Sequence, residues 1–295
     1  MELTFLQLAL LLAAAFFAGL VDAAVGGGGL IQLPALFALS PTSLPPVLLG
    51  TNKFAAVCGT LNAAYTFGRH VRLPWRFVCV VALCAGLASA GGAQFARLLD
   101  PHVFRTLLPF LLGIMLIYTL RRKDLGATGT NAPAGLQALW TGGIAGLAIG
   151  FYDGLIGPGT GTLLIFLFVR WFDFDFLHAS ASAKVVNVCT NVGAIVLFAR
   201  TGNIAWAVGF PMAIANTLGA IVGSRLAIFR GNRFIRRLFI AVVTVLLMKT
   251  ALDGVAQFVP STRPSNPLPN LRAAPAFPER RPVTARGIPV PGLKP

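Results

Sequence analysis

An aspartate and four consecutive glycines interrupt a long apolar run in the stretch Gly19-Leu-Val-Asp22-Ala-Ala-Val-Gly26-Gly27-Gly28-Gly29-Leu-Ile-Gln32. Each glycine inside a helix costs about 1 kcal/mol relative to alanine, so the run ends one apolar segment and opens another. The first amides of the second segment have no helical acceptor, and the positive end of the helix dipole lies there. The break between the two segments, formed by the four glycines, is therefore a candidate anion-binding site.

A second copy of this pattern lies 131 residues further on, in the stretch Gly150-Phe-Tyr-Asp153-Gly-Leu-Ile-Gly157-Pro-Gly159-Thr160-Gly161. At the same offset, Lys53 matches Lys184 and Trp75 matches Trp206. Lysine, tryptophan and aspartate are rare in this apolar chain, so matches at one constant offset indicate an internal repeat. The candidate binding residues of the second break are Gly157, Gly159, Thr160 and Gly161. Two related halves are a common construction of secondary transporters.

The composition of the 295 residues fixes the class of protein. Hydrophobic residues make up 56% and charged residues only 11%, against roughly 25% charged residues in a soluble domain. Too few charges are present to cover a soluble surface, and hydrophobicity is too high for disorder in most of the chain. The net charge of +15 comes from short clusters between apolar runs, which is typical of membrane loops facing anionic lipid. Nucleic acid is therefore not expected as a partner.

Breaks at glycine, proline and charge divide the chain into ten hydrophobic segments. The sequence predicts an all-α polytopic membrane protein with one half at 1–124, a second at 125–259, and a disordered tail rich in proline and arginine at 260–295. The second and seventh segments are too short for a full crossing and resemble half-helices. The segments are 3–21, 27–39, 45–67, 74–96, 103–120, 134–152, 158–171, 178–199, 205–228 and 235–256.

The orientation of the two halves is decided by charge. Five crossings per half would invert the second half and gather most loop cations on one face, whereas four crossings would divide them evenly. The positive-inside rule therefore favours inverted halves. The tail opposes this choice, because inversion places its arginines on the face with fewer cations.

Two lysines lie deep inside apolar segments, where a charged side chain costs roughly 2.5–3.5 kcal/mol. Lys53 and Lys184 are therefore expected to face a polar cavity, a carboxylate or an anionic ligand. Asp22 and Asp153 are candidates for pairing with them, and a carboxyl group withdrawn from water can also carry a proton. Proton coupling through the two aspartates is a hypothesis. The polar residues around the lysines complete the candidate binding set: Thr51, Asn52, Asn187 and Asn191.

At these residues the chain resembles the sulfite exporter TauE/SafE family of bacterial membrane permeases. The resemblance covers about residues 5–256 and is carried by the first glycine break, by Leu49-Gly-Thr51-Asn52-Lys53 and by Ala183-Lys184-Val-Val-Asn187. It implies an integral inner-membrane protein with two related halves that moves sulfite, sulfonates and similar small anions. Ala183 stands where the first half has Asn52, so the two copies are expected to play unequal roles.

The sequence and the resemblance together predict a multi-pass secondary transporter, an exporter of small sulfite- or sulfonate-type anions. A passive anion channel is the alternative. The expected partners are the anionic substrate and membrane lipid, and a homo-oligomer is left open. No catalytic motif such as H-E-x-x-H or G-x-S-x-G is found, and the histidines and cysteines lack metal-ligand spacing. Neither enzymatic activity, a metal nor a cofactor is therefore expected.

Overall fold

A computed structural model describes residues 3–100 and 135–230, and the regular structure in those two ranges is helical. Eight of the ten predicted segments fall on helices there. The segments 103–120 and 235–256, the half boundaries at 124 and 259, and the tail 260–295 lie outside the described residues. The helices are α1 Phe5–Val25, α2 Gly29–Leu39, α3 Pro45–Gly68, α4 Trp75–Leu98, α5 Leu136–Leu155, α6 Thr160–Phe172, α7 Phe176–Arg200 and α8 Trp206–Arg230.

The helices fall into two length classes. Within the described ranges, α1, α4, α7 and α8 are both long and apolar enough to cross a membrane. By contrast, α2 has 11 residues and α6 has 13, so they extend only about 17 and 20 Å in a hydrocarbon layer of about 30 Å. The prediction of a multi-pass helical membrane protein is confirmed, and so are the two short helices beside glycine breaks.

Local sequence explains where several helices begin. Thr4 caps α1 through a capping box, in which its hydroxyl accepts from the amide of Gln7. Pro45 occupies the first turn of α3, where a missing N–H costs nothing. Asp175 caps α7 by accepting hydrogen bonds from the amides of Leu177 and His178. These caps fix where the three helices begin.

Corresponding helices of the two halves begin at a constant spacing. Helices α1 to α4 begin at residues 5, 29, 45 and 75, and α5 to α8 begin at 136, 160, 176 and 206. Each pair differs by 131 residues, which is the offset of the matches in the sequence. The sequence repeat is thus accompanied by a repeated order of long and short helices.

Helices α3 and α7, which correspond at this offset, pack against each other in opposite directions. Gly50 near the start of α3 faces Phe198 near the end of α7, and a Cβ on Gly50 would lie 2.9 Å from Phe198 Cβ. Phe67 at the end of α3 shares an apolar cluster with Ala181 near the start of α7. The two helices therefore run antiparallel across the centre of the bundle.

Apolar clusters anchor the outer ends of the short helices. Phe77 of α4 packs on Phe172 of α6 and on Phe174 just beyond it, with ring centroids 4.6 and 5.9 Å apart. Leu33 and Leu36 of α2 are fully buried in two other clusters. Because one end of each short helix is fixed in this way, its glycine-flanked start is held inside the bundle.

Small residues let α4 and α5 approach closely, in the manner of small-xxx-small interfaces of membrane helices. A Cβ on Gly150 would lie 2.2 Å from the carbonyl oxygen of Ala85, and a Cβ on Gly154 would lie 1.9 Å from that of Ser89. Such distances leave no room for any side chain. The interface that joins the two halves therefore depends on glycine.

Two adjacent glycines of α4 provide a matched test of this interface. A Cβ on Gly92 would lie 2.0 Å from the carbonyl oxygen of Phe151, whereas the nearest atom to a Cβ on Gly91 lies 4.0 Å away. We expect Gly92→Ala to lower the unfolding temperature in detergent, at a cost of about 1–3 kcal/mol from overpacking. Gly91→Ala should be neutral or slightly stabilising, because alanine favours the helix. Equal unfolding temperatures for the two variants would contradict the close contact.

Candidate functional site

The first glycine break lies directly after α1. Gly26 has φ +74°, a conformation that favours glycine, and its amide donates to the carbonyl oxygen of Asp22. α2 begins at Gly29. Asp22 lies in the last turn of α1, and its Oδ1 accepts from the amide of Gly28 at 3.4 Å. The first break therefore lies beside the carboxylate of Asp22, which accepts a hydrogen bond from one of the glycine amides of the break.

The second break repeats this arrangement after α5. Asp153 lies in the last turn of α5 and is 1% exposed. Gly159 precedes α6 with φ +80°, again in the left-handed region. The hydroxyl of Tyr152 donates to the carbonyl oxygen of Pro158 at 2.7 Å and so closes the loop. Each half thus places one aspartate beside the start of a short helix.

The two breaks touch each other. A Cβ on Gly26 would lie 2.6 Å from the carbonyl carbon of Gly161, and a Cβ on Gly29 would lie 3.1 Å from Cα of Pro158. Backbone therefore packs on backbone where the two short helices begin. The glycines are needed for this contact between halves as well as for ending the helices.

Two ion pairs cross between the halves. Lys53 Nζ of α3 lies 2.5 Å from Asp153 Oδ2 of α5, and Lys184 Nζ of α7 lies 3.0 Å from Asp22 Oδ2 of α1. Lys184 also donates to the backbone carbonyl of Asp22. Pairing of the aspartates with the lysines is confirmed, and the four formal charges sum to zero. Each pair links the break of one half to the central helix of the other.

Amide side chains form much of the remaining polar wall. Asn216 of α8 donates to Gln32 Oε1 at 2.8 Å, and Gln32 donates to the backbone carbonyl of Asn52 at 3.3 Å. Asn191 Nδ2 lies 3.4 Å from Asn187 Oδ1. The Oδ1 atom of Asn52 is buried without a hydrogen-bond partner. A buried polar atom of this kind is available to a water or a ligand.

These groups line a small polar chamber with a cavity volume of about 30 Å³. Thirteen predicted site residues line it. Gly26, Thr51 and Lys184 do not, although Gly26 and Lys184 contact residues of the wall. The lining residues from the prediction are Asp22, Gly27, Gly28, Gly29, Asn52, Lys53, Asp153, Gly157, Gly159, Thr160, Gly161, Asn187 and Asn191.

Thr51 differs most from its predicted position. Its hydroxyl donates to the carbonyl oxygen of Val47 at 2.7 Å and accepts from the amide of Ala205 at 2.9 Å. It therefore ties α3 to the segment before α8 and turns away from the chamber. Consecutive helical residues point about 100° apart, so Asn52 faces the chamber while its neighbour does not.

Four of the lining residues were not predicted from the sequence: Gln32, Ala56, Thr60 and Asn216. Gln32 could have been found, because a glutamine inside a short apolar segment is expected to face a polar site. Asn216 lies inside the apolar run 205–228, where an amide is costly without a partner. Asn216 has no counterpart in the first half, where position 85 is alanine, so the repeat could not indicate it.

Comparison with known proteins identifies the family. The family model described as sulfite exporter TauE/SafE matches residues 11–250. A probable membrane transporter protein of Haemophilus influenzae is 34% identical over 247 residues, which cover 83% of this chain and 95% of the relative.

Two further relatives have the same sequence identity to this chain. The probable membrane transporter protein YfcA of Escherichia coli K12 is 34% identical over 254 residues, 85% of this chain and 92% of its own. The probable membrane transporter protein ORF9 of a Sinorhizobium species is 34% identical over 253 residues, with 85% and 95% covered. No solved structure matches the chain. This multi-pass membrane protein therefore belongs to the sulfite exporter TauE/SafE family and is a membrane transporter.

Proposed function

We propose that the protein is a secondary transporter that exports small anions of the sulfite and sulfonate type across the bacterial inner membrane. The observation that carries the proposal is the contact of the two glycine breaks at one chamber whose charges come from both halves. The family description and the relatives named as membrane transporters support it. Nothing in this chemistry requires a bond of the substrate to break, and no enzymatic step is proposed.

The chamber chemistry suits a small oxyanion. Gly29 and Thr160, the first residues of α2 and α6, both line it. The two helix starts bring the positive ends of two helix dipoles to the chamber. Side-chain amides of Asn52 and Asn187 can add neutral donors, and the lysines keep the site from repelling an anion. Several hydrogen-bond donors arranged around one point would suit the three oxygens of sulfite or of a sulfonate group.

We infer that the two halves are inverted repeats. The equal spacing of helix starts and the antiparallel packing of α3 on α7 support this inference. In inverted-repeat transporters, discontinuous helices hold the substrate near the bilayer midplane while one half rocks against the other. The crossed ion pairs then join the parts that move relative to each other. Proton coupling through one or both of the aspartates is part of the proposal, since a protonated aspartate would free the charge of its lysine for an anion.

Transport into liposomes tests the proposed function directly. The purified protein is reconstituted and tested for uptake of sulfite, sulfate, sulfoacetate and taurine, with and without a pH gradient. We expect saturable sulfite flux, and faster uptake of labelled sulfite when unlabelled sulfite is loaded inside. Flux without saturation or counterflow would favour the passive channel. Uptake of all four compounds at the level of empty vesicles would contradict both readings.

A further inference from the structure

The two ion pairs are enclosed to different degrees. The side chains of Lys53 and Asp153 are 3% and 1% exposed. In the other pair Lys184 is 1% exposed, but the Asp22 side chain is 16% exposed. Among these four charged groups, only the carboxylate of Asp22 combines a lysine partner with appreciable access to open space.

The breaks beside the two aspartates also differ. The Tyr152 hydroxyl binds the carbonyl of Pro158, and the Thr160 hydroxyl binds that of Gly157 at 2.8 Å. The residues that correspond to Tyr152 and Thr160 in the first half are Val21 and Gly29, whose side chains have no hydrogen-bonding atom. The second break is therefore tied by two hydroxyl groups that the first break lacks.

Two of the hydrogen bonds to the Asp22 carboxylate are long. Its oxygens lie 3.4 Å from the Gly28 amide and from the Thr60 hydroxyl, which is near the long limit for a hydrogen bond. Thr60 also lies 2.9 Å from the carbonyl oxygen of Ala56, so its single proton serves one acceptor at a time. Lys184 donates to the backbone carbonyl of Asp22 as well as to the carboxylate. Loss of the carboxylate charge would therefore leave Lys184 with a partner.

Few other titratable groups face Asp22. Lys184 comes from α7, Lys53 from α3 and Asp153 from α5. α2 contains no titratable residue, and α6 has only Arg170, in its last turn. α8 presents the neutral Asn216 to the chamber, while its Arg225 is exposed. The charge near Asp22 is thus set mainly by the two lysines and by Asp153.

We propose that Asp22 alone exchanges the coupling proton and that Lys53 and Asp153 stay paired throughout transport. The inference rests on the function proposed above. A hydronium ion transfers a proton to the Asp22 carboxylate: one O–H bond of hydronium breaks, one O–H bond forms on Asp22, and a water molecule is left beside a neutral carboxyl group. The chamber then carries one net positive charge, centred on Lys184, which one anionic group of the substrate balances. Proton and anion leave together, and Lys184 returns to the carboxylate.

Infrared difference spectra between about pH 8 and about pH 4, a range that reaches the ordinary titration range of aspartate, test the proton site without relying on transport. The purified protein in detergent should show the carbonyl stretch of a protonated buried carboxyl group. Asp22→Asn should abolish this band. The double variant Lys53→Gln/Asp153→Asn, which removes the other pair without leaving an unpaired charge, should keep it. A band that survives in Asp22→Asn, or disappears in the double variant, would overturn the assignment.

Sulfite flux into liposomes provides the second readout. The protonated fraction of a carboxyl group falls about tenfold per pH unit above its midpoint, so wild-type flux should fall as the pH rises over this range. In Asp22→Asn the flux should vary by less than about twofold. Whatever flux the Lys53→Gln/Asp153→Asn variant retains should keep the wild-type pH profile. If wild type carries no sulfite but the band behaves as expected, the proposed substrate fails and the proton site stands.

Discussion

Replacing Lys53 by methionine is expected to lower the free energy of unfolding by about 3–5 kcal/mol. The substitution leaves Asp153, 1% exposed, without its ion-pair partner 2.5 Å away. An uncompensated carboxylate that is 1% exposed is far more costly than the buried ion pair. Chemical denaturation in detergent micelles, followed by tryptophan fluorescence, measures the change.

Two matched variants separate loss of charge balance from loss of packing. Lys53→Met/Asp153→Leu removes both charges and should recover most of the lost stability, since apolar replacement of a buried ion pair is often neutral or stabilising. Arg72→Met removes an exposed cation and should change stability by no more than about 0.5 kcal/mol. If the double variant is as unstable as Lys53→Met, the ion pair is not the source of the cost.

Replacing Gly26 by alanine is expected to abolish transport. The φ of +74° alone costs a residue with a Cβ about 1–2 kcal/mol. The added Cβ would also lie 2.6 Å from the carbonyl carbon of Gly161 and 2.7 Å from the amide nitrogen of Thr162. Both neighbours are backbone, so the start of α6 must move, and the contact between the two breaks is lost.

Sulfite uptake by reconstituted protein measures this effect, with the unfolding temperature recorded in parallel. Gly68→Ala is the control, because a Cβ there meets nothing within 4 Å. We expect Gly26→Ala to reduce flux by at least about tenfold, which corresponds to about 1.4 kcal/mol, while Gly68→Ala matches wild type. Wild-type flux in Gly26→Ala would mean that contact between the breaks is not needed for transport.

The sequence was sufficient to predict which segments and which charged residues belong to the site. Four glycines in a row and their counterpart around Gly159 are incompatible with continuous helix, so the short helices follow from backbone propensity. Lys53 and Lys184 cannot face lipid at such depth, so a shared polar interior follows from the cost of burying charge. The 131-residue offset further indicated that Asp22 and Asp153 are equivalent positions.

The crossing of the pairs was not predictable, because it depends on how the halves pack. Nothing in the sequence states that Lys53 meets Asp153 of the other half rather than Asp22 of its own. Thr51 and Asn216 illustrate the same limit. Thr51 turns away because α3 also has to hold the segment before α8, and Asn216 enters the wall because α8 packs on α3 through Gly59. Tertiary contacts decide both cases.

Sulfite binding to detergent-solubilised protein, measured by titration calorimetry, tests most directly whether residues of both halves form one anion site. Asn52→Leu removes an amide of the first half and Asn187→Leu one of the second, while Thr141→Val changes an exposed residue of α5. A buried hydrogen bond to a charged group contributes about 1.5–3 kcal/mol, so each leucine variant should weaken binding by about tenfold or more. Thr141→Val should bind like wild type. Wild-type affinity in either leucine variant, or no sulfite binding by the unmodified protein, would contradict a shared sulfite site.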